Sequence, residues 1–195
     1  MTPVSDRIIL ESKRLRLRSW RESDAPVLYR WASDPEVGPR AGWPPHQSVA
    51  ESLEIIRTVF NNDTNWAIEL KEPLPIKGGG LIGMGSAGLV VGAIGYGPSC
   101  DCALPARDGE PITGYWIARP FWNSGICTEA LQLMISHIRQ ATAIPSLISG
   151  HFVDNPASGR VMEKCGFIPT GETVIDPSQY QGAGRPIRVL RLELR

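Results

Sequence analysis

The chain has no net charge to spare: twenty Lys and Arg residues are matched by twenty Asp and Glu across 195 residues. A balanced surface exerts no general pull on nucleic acid or on an anionic membrane face, so neither is expected as a partner. Long apolar runs are missing as well, and nothing approaches the ~20 residues that a membrane helix requires. The opening Met1-Thr2-Pro3-Val4-Ser5-Asp6-Arg7 lacks the basic and apolar regions of an export signal, and cytoplasmic residence is the expectation. Cysteines number four, too few for a disulfide framework in a chain of this length. Cys127 and Cys165 fall on predicted helix faces, where a buried thiol is the ordinary role. Cys100-Asp101-Cys102 lacks the second pair or nearby His of a zinc site, and no metal is expected.

What is present is an ordinary globular composition, 42% apolar and 21% charged, enough for a real core and most simply one domain. The chain is organised around residues 112–167. Ile112-Thr113-Gly114-Tyr115-Trp116-Ile117-Ala118 reads as a strand. Cys127, Ala130, Leu131, Met134, Ile135 and Ile138 recur at the spacing of one helix face. Between them the chain turns at Asn123-Ser124-Gly125. The first turn of a helix has backbone N–H groups without internal partners and carries the positive end of the dipole. Gly125 allows a ligand to come close to that backbone. A strand, turn and helix start of this kind suit phosphate.

Elsewhere, Leu15-Arg16-Leu17-Arg18-Ser19-Trp20 alternates as a half-buried strand whose arginines face solvent. Asp24 is a predicted N-cap with Pro26 in the first turn. Residues 38–47 read as a Gly- and Pro-rich loop carrying Arg40, Trp43 and His46. Ser48-Val49-Ala50-Glu51 is a capping box for a helix whose stripe is Val49, Leu53, Ile56 and Phe60. Trp66 to Leu70, Leu89 to Ile94, Ser146 to Val153, Phe167 to Val174 and Ile187 to Leu194 are predicted strands. Asn155 and Pro156 open a helix with Ala157, Val161 and Cys165 on one face, ended by Gly166. Residues 176–185 are a polar loop or hairpin tip. Intermixed strands and helices without a regular repeat give an α/β or α+β class.

Two ordered blocks carry a resemblance. Gly114-Tyr115-Trp116-Ile117 with Trp122-Asn123-Ser124-Gly125-Ile126-Cys127-Thr128-Glu129-Ala130 is the first, and Asp154-Asn155-Pro156-Ala157-Ser158-Gly159-Arg160-Val161-Met162-Glu163-Lys164-Cys165-Gly166-Phe167 is the second. A weaker third is Glu11-Ser12-Lys13-Arg14-Leu15-Arg16-Leu17-Arg18 with Glu22-Ser23-Asp24. Together they resemble the GNAT acyltransferases, in the RimJ/RimL-like branch typified by ribosomal-protein N-terminal acetyltransferases. The resemblance spans most of the chain and is weakest over residues 71–111. It implies a GNAT-type fold, a mixed and mostly antiparallel sheet flanked by helices and splayed where acetyl-CoA enters. It implies an acyl-CoA donor, a primary-amine acceptor such as a protein N-terminus or small amine, and a homodimer as a common assembly.

By the same resemblance, Trp122, Asn123, Ser124, Gly125, Ile126, Cys127 and Thr128 hold the pyrophosphate. Trp122 and Cys127 depart from the residue types the family places at those positions. The backbone of Trp116, Ile117 and Ala118 pairs with the pantetheine amides as an added strand would, and Asn155 reaches the cofactor arm. The family often places a Tyr near the end of the second helix to protonate the leaving thiolate. Here that position is Met162, and Ser158, or a water it holds, is the expected substitute. Candidate bases for the amine proton are Glu110 and His46. Arg40, Trp43 and His46 are expected on the acceptor side. A base is less needed for an amine such as a peptide N-terminus, with its pKa near ~8.

Two other readings compete. Gly83-Met84-Gly85-Ser86-Ala87-Gly88, with Asp108 about twenty residues on, matches a dinucleotide fingerprint. The segment after it, Leu89 to Gly97, is β-branched and broken by glycine, so a helix does not start there and a nicotinamide site is not expected. A catalytically weak acyl-CoA-binding or regulatory module of the same fold is the other, and Met162 is the residue that favours it.

Overall fold

The computed structural model describes residues 8–76, 80–82, 88–98, 103–177 and 184–195. Its strands are β1 (Leu10–Glu11), β2 (Leu15–Arg18), β3 (Asn65–Leu70), β4 (Leu74–Ile76), β5 (Gly80–Ile82), β6 (Leu89–Gly97), β7 (Ile112–Ile117), β8 (Ser146–Phe152), β9 (Ile168–Ile175) and β10 (Pro186–Glu193). Its α-helices are α1 (Ala25–Ala32), α2 (Gly38–Ala41), α3 (Val49–Thr58), α4 (Ile126–Ala141) and α5 (Pro156–Lys164). Eight strands form one sheet in the order β1-β2-β3-β6-β7-β8-β10-β9, and β4 and β5 pair separately. Every neighbour in the large sheet is antiparallel except β7 and β8. That parallel pair needs a crossover, and α4 supplies it.

The sheet has a core on each face. On one, Leu15, Leu17, Ile68 and Ile117 pack with Ile126, Leu131, Met134 and Ile138 of α4 and with Met162 of α5. The predicted α4 stripe is this buried face, so each of its large apolar side chains is worth about 2–5 kcal/mol against truncation to Ala. On the other face, Trp20, Ala25, Leu28, Ala32 and Ile56 pack against Ala67, Val90 and Ala93.

The structure corrects several local expectations. Arg18 is buried rather than solvated, because two carboxylates, Asp24 and Glu69, neutralise it. Asp24 is engaged in that pair and with the Arg21 N–H, and does not cap α1. Ser48 caps α3 as predicted, accepting from the Glu51 N–H at 3.0 Å. Val49, however, is exposed, and Ser52 and Ile56 are the residues α3 buries. Residues 38–41 are a short helix rather than loop. The glycine-rich fingerprint at 83–87, with Gly78 and Gly79, lies outside the described residues. So do Cys100, Asp101 and Cys102 and most of the polar loop at 178–183.

Candidate active site

The parallel pair β7–β8 is joined in register only at Ile112 and Ile148. Ser149 Oγ then donates to the Thr113 carbonyl at 2.8 Å, and beyond that point the strands part. On its other side β7 stays laddered to β6 through Ile117, and the Ala118 N–H donates to the Val91 carbonyl at 2.8 Å. Bonding alternates along an antiparallel ladder. The backbone groups of Ala118, Trp116 and Gly114 therefore turn to β6, while those of Tyr115 and Ile117 face the gap. The Ile117 carbonyl is taken by the Trp122 indole N–H at 2.7 Å. The Tyr115 backbone and the Ile117 N–H form the open edge. This revises the expectation that Trp116 and Ala118 offer their backbone to a ligand.

The gap is the floor of a cleft of about 540 Å³. Of the predicted cofactor residues, Trp116, Ile117, Trp122, Asn123, Gly125, Ile126, Cys127, Thr128, Asn155 and Ser158 line it, and Ala118 and Ser124 do not. Ala118 is fully buried. At the mouth, the loop turns through two left-handed residues, Asn123 at φ 61° and Gly125 at φ 77°. Asn tolerates that region and Gly is at home there. Gly125 is the N-cap of α4, so the loop delivers the unpartnered first-turn N–H groups of a sixteen-residue helix to the cleft wall. Ser124 faces away: its carbonyl accepts from Arg14 at 3.1 Å and its hydroxyl donates to the Phe121 carbonyl.

The second helix, α5, packs differently from expectation. Gly159 and Met162 are its fully buried residues; of the predicted Ala157-Val161-Cys165 face, Val161 and Cys165 pack half-buried against the core and Ala157 is exposed. The His151 ring fixes this rotation, for a Cβ on Gly159 would lie 2.5 Å from His151 Nε2. Ser158 thereby faces the sheet. Its hydroxyl donates to Tyr115 Oη at 3.2 Å, and Tyr115 Oη donates to the Ser158 carbonyl at 2.9 Å. Burial pushes the Tyr115 phenol well above its ordinary value. It pushes the Cys127 thiol up as well and the Cys165 thiol to about 11, so both sulfurs stay inert thiols. Met162 belongs to the core. Asn155 stands at the N-cap of α5 but does not cap it; its Nδ2 donates to the Arg40 carbonyl at 3.1 Å.

That bond and Arg185 hold α2 across the cleft. Arg185 donates to the Pro39 carbonyl at 2.8 Å, pairs with Asp154 at 3.0 Å, and stacks 3.6 Å over the Phe152 ring. Arg40 lines the cleft with its guanidinium 5.4 Å over the Trp122 ring. Trp43 and His46 do not line it. Trp43 packs edge-on against Trp116, and His46 Nδ1 is bonded to buried Ser52 at 2.8 Å, with burial lowering its pKa. Glu110 is also outside the cleft. It is 2% exposed and is held by Arg191 at 2.8 Å, the Ser146 hydroxyl at 2.6 Å and the Arg107 N–H at 3.0 Å. Burial alone would raise its pKa, but those bonds outweigh it and lower it. A carboxylate so occupied is a structural anchor and not a base. Tyr115, His151, Phe152, Arg160 and Lys164 line the cleft and went unnoticed in the sequence. Tyr115 sat inside the quoted motif, and Arg160 and Lys164 share the i, i+4 spacing of one helix face.

A family model described as acetyltransferase (GNAT) domain matches residues 14–168. The chain belongs to the GNAT acetyltransferase family. It is 27% identical over 178 residues to the N-acetyltransferase YoaA of Bacillus subtilis (strain 168), described as uncharacterized, with 89% of each chain covered. Among solved structures, a GNAT-family acetyltransferase from Bacillus anthracis superposes with TM-score 0.74 at 15% identity, covering 96% of this chain and 99% of that one. RimL, the ribosomal L7/L12 alpha-N-protein acetyltransferase solved with coenzyme A, gives TM-score 0.71 at 17% identity, covering 95% and 98%. Among the described residues no cluster of His, Cys, Asp and Glu could hold a metal ion, and no helix is long and apolar enough to cross a membrane.

Proposed function

We propose that the protein moves the acetyl group of acetyl-CoA onto a primary amine by direct transfer in a ternary complex, as a RimJ/RimL-like enzyme whose acceptor is a peptide or protein N-terminus. The observation that carries this reading is the cleft itself. An open strand edge at Tyr115 and Ile117 leads from the α4 N-terminus to the point where β7 and β8 meet, in a space of about 540 Å³. The residues present fit the donor. Asn123, Gly125, Ile126, Cys127 and Thr128 would hold the pyrophosphate through backbone N–H groups, and the edge at Tyr115 and Ile117 would take the pantetheine amides. Arg160 and Lys164 add positive charge along the same wall.

Acetyl-CoA, when bound, supplies the acyl group and the leaving thiol. A backbone N–H on that edge would meet negative charge developing on the acyl oxygen, and the Ser158 hydroxyl would donate toward the sulfur. The acceptor is argued from charge. Arg40, Arg160 and Lys164 line the cleft, and no Asp or Glu does among the described residues. A cationic wall disfavours an ammonium and favours the neutral, attacking amine. It also repels a polyamine or aminoglycoside, whose further positive charges find no carboxylate here. A peptide N-terminus, with its pKa near ~8, reaches the neutral form without a strong base.

Thiol release from acetyl-CoA, measured against a free-N-terminus peptide panel, spermidine and an aminoglycoside, tests the reading. Peptides should turn over at least tenfold faster than either polycation, and a preference for a polycation would overturn the assignment. The second reading, a module that binds acyl-CoA without turnover, is favoured by the buried Met162. Tight acetyl-CoA binding with no release on any amine would select it.

A further inference from the structure

Where the GNAT resemblance implies a tyrosine near the end of α5, this chain has Met162, which is 1% exposed. A tyrosine hydroxyl nonetheless reaches α5, from the strand opposite. Tyr115 Oη sits 2.9 Å from the Ser158 carbonyl oxygen and 3.2 Å from Ser158 Oγ, and both residues line the cleft. At rest the hydroxyls form one directed chain: Ser158 donates to Tyr115, and Tyr115 donates to the Ser158 carbonyl. In that state Ser158 has no proton to offer the cleft. The same oxygen positions admit the reverse direction, in which Tyr115 donates to Ser158 Oγ and Ser158 donates outward.

We infer that Tyr115 is a positioning residue for Ser158, holding its side chain at rest and turning to donate to Ser158 Oγ when Ser158 donates to a departing sulfur. This rests on the role proposed above for Ser158. No covalent bond in the chain forms or breaks in the switch; two hydroxyl hydrogens rotate about their C–O bonds, and the oxygens keep their separation. The elevated pKa of the buried phenol keeps Tyr115 protonated, so it is a donor across the working pH range. Linked hydroxyls polarise one another, which makes Ser158 a better donor than it would be alone.

Binding, and not only turnover, tests this. Calorimetric titrations of CoA and of desulfo-CoA, which lacks the thiol, are compared at about pH 9, where thiolate is appreciably populated. The wild type should prefer CoA by about fivefold, the worth of one hydrogen bond. Tyr115→Phe keeps the ring and loses only the oxygen. It should bring that preference toward unity, leave desulfo-CoA affinity within twofold and lower kcat about fivefold. Ser158→Ala should do the same, and the double variant should lose no more than either single. If Ser158→Ala loses the preference and Tyr115→Phe keeps it with full kcat, the inference fails and the role of Ser158 stands. If Ser158→Ala keeps both, the role of Ser158 fails, and the inference with it. An equal loss of both ligands in Tyr115→Phe would make Tyr115 a packing residue only, and additive losses would make the two hydroxyls independent. Either result overturns the inference.

Discussion

The Arg14 guanidinium meets the Glu129 carboxylate at 2.6 Å beneath the first turn of α4. Glu129 also accepts from the Ser12 hydroxyl at 2.7 Å and from Arg14 Nε at 2.7 Å, so its charge is fully answered. A second arm of Arg14 holds the Ser124 carbonyl, which turns that carbonyl away from the cleft. Burial raises the pKa of Glu129, but these bonds from Ser12 and Arg14 outweigh it and lower the value. A bare carboxylate this close to the helix N-terminus would compete with a phosphate for the dipole. Arg14→Ala should therefore weaken acetyl-CoA binding by about fivefold, from roughly 1 kcal/mol of local field. Arg14→Ala with Glu129→Gln should recover part of it. Calorimetry reads both, and an unchanged affinity in Arg14→Ala would remove the pair from the site.

Gly125 is needed for its conformation and not for space. A Cβ there would meet only Arg14 Nη2, at 3.6 Å, but φ is +77°. An L-residue in that region costs about 1–2 kcal/mol. Gly125→Ala should raise the Kd for acetyl-CoA about tenfold while thermal unfolding shifts by only a few degrees. Wild-type affinity in this variant would move the phosphate site elsewhere.

Glu110 predicts a stability effect with a defined pH sign. Its folded pKa lies below the ordinary carboxylate value because the hydrogen bonds from Arg191, Ser146 and the Arg107 N–H overcome burial. The stabilisation is complete above the unfolded pKa near ~4.3 and is lost as pH falls through the lower folded value. Glu110→Gln should cost about 3 kcal/mol at pH 7 by leaving Arg191 unpaired, or roughly 6–12 °C in Tm. The difference should vanish in acid. An unshifted Tm with a lost limb in the pH–rate profile would return Glu110 to the role of base.

Arg185 ties α2 to the β8–α5 turn through Pro39, Asp154 and Phe152. Arg185→Ala should loosen this roof and raise KM for the amine several-fold while the acetyl-CoA Kd stays within twofold. Initial-rate kinetics in both substrates separate the two. An effect confined to acetyl-CoA would place α2 over the cofactor instead.

Much of this architecture is written locally. The period of α4, the alternation of β2, the Asn123-Ser124-Gly125 turn and the Ser48 cap each depend on neighbours within a few residues. Most of the errors have another cause, because their determinants are tertiary contacts that no local pattern records. Arg18 reads as solvated until Glu69, 51 residues on, meets it. Glu110 reads as a free base until Arg191, 81 residues on, claims it. The rotation of α5 is set by the fit of His151 against Gly159, which helical spacing does not encode. The short helix α2 is held by Asn155 and Arg185, and Pro39 and Gly42 on their own signal a loop.

A thermal-shift titration with acetyl-CoA, CoA and the nicotinamide cofactors side by side tests the central claim. A ligand at 100 times its Kd adds about 2.7 kcal/mol, or roughly 5–10 °C for a domain of this size. Shifts of that order with acetyl-CoA and CoA, absent with the nicotinamides and diminished in Gly125→Ala, are the predicted result. No shift with either CoA form would contradict it, leaving a GNAT fold whose cleft does not bind the donor.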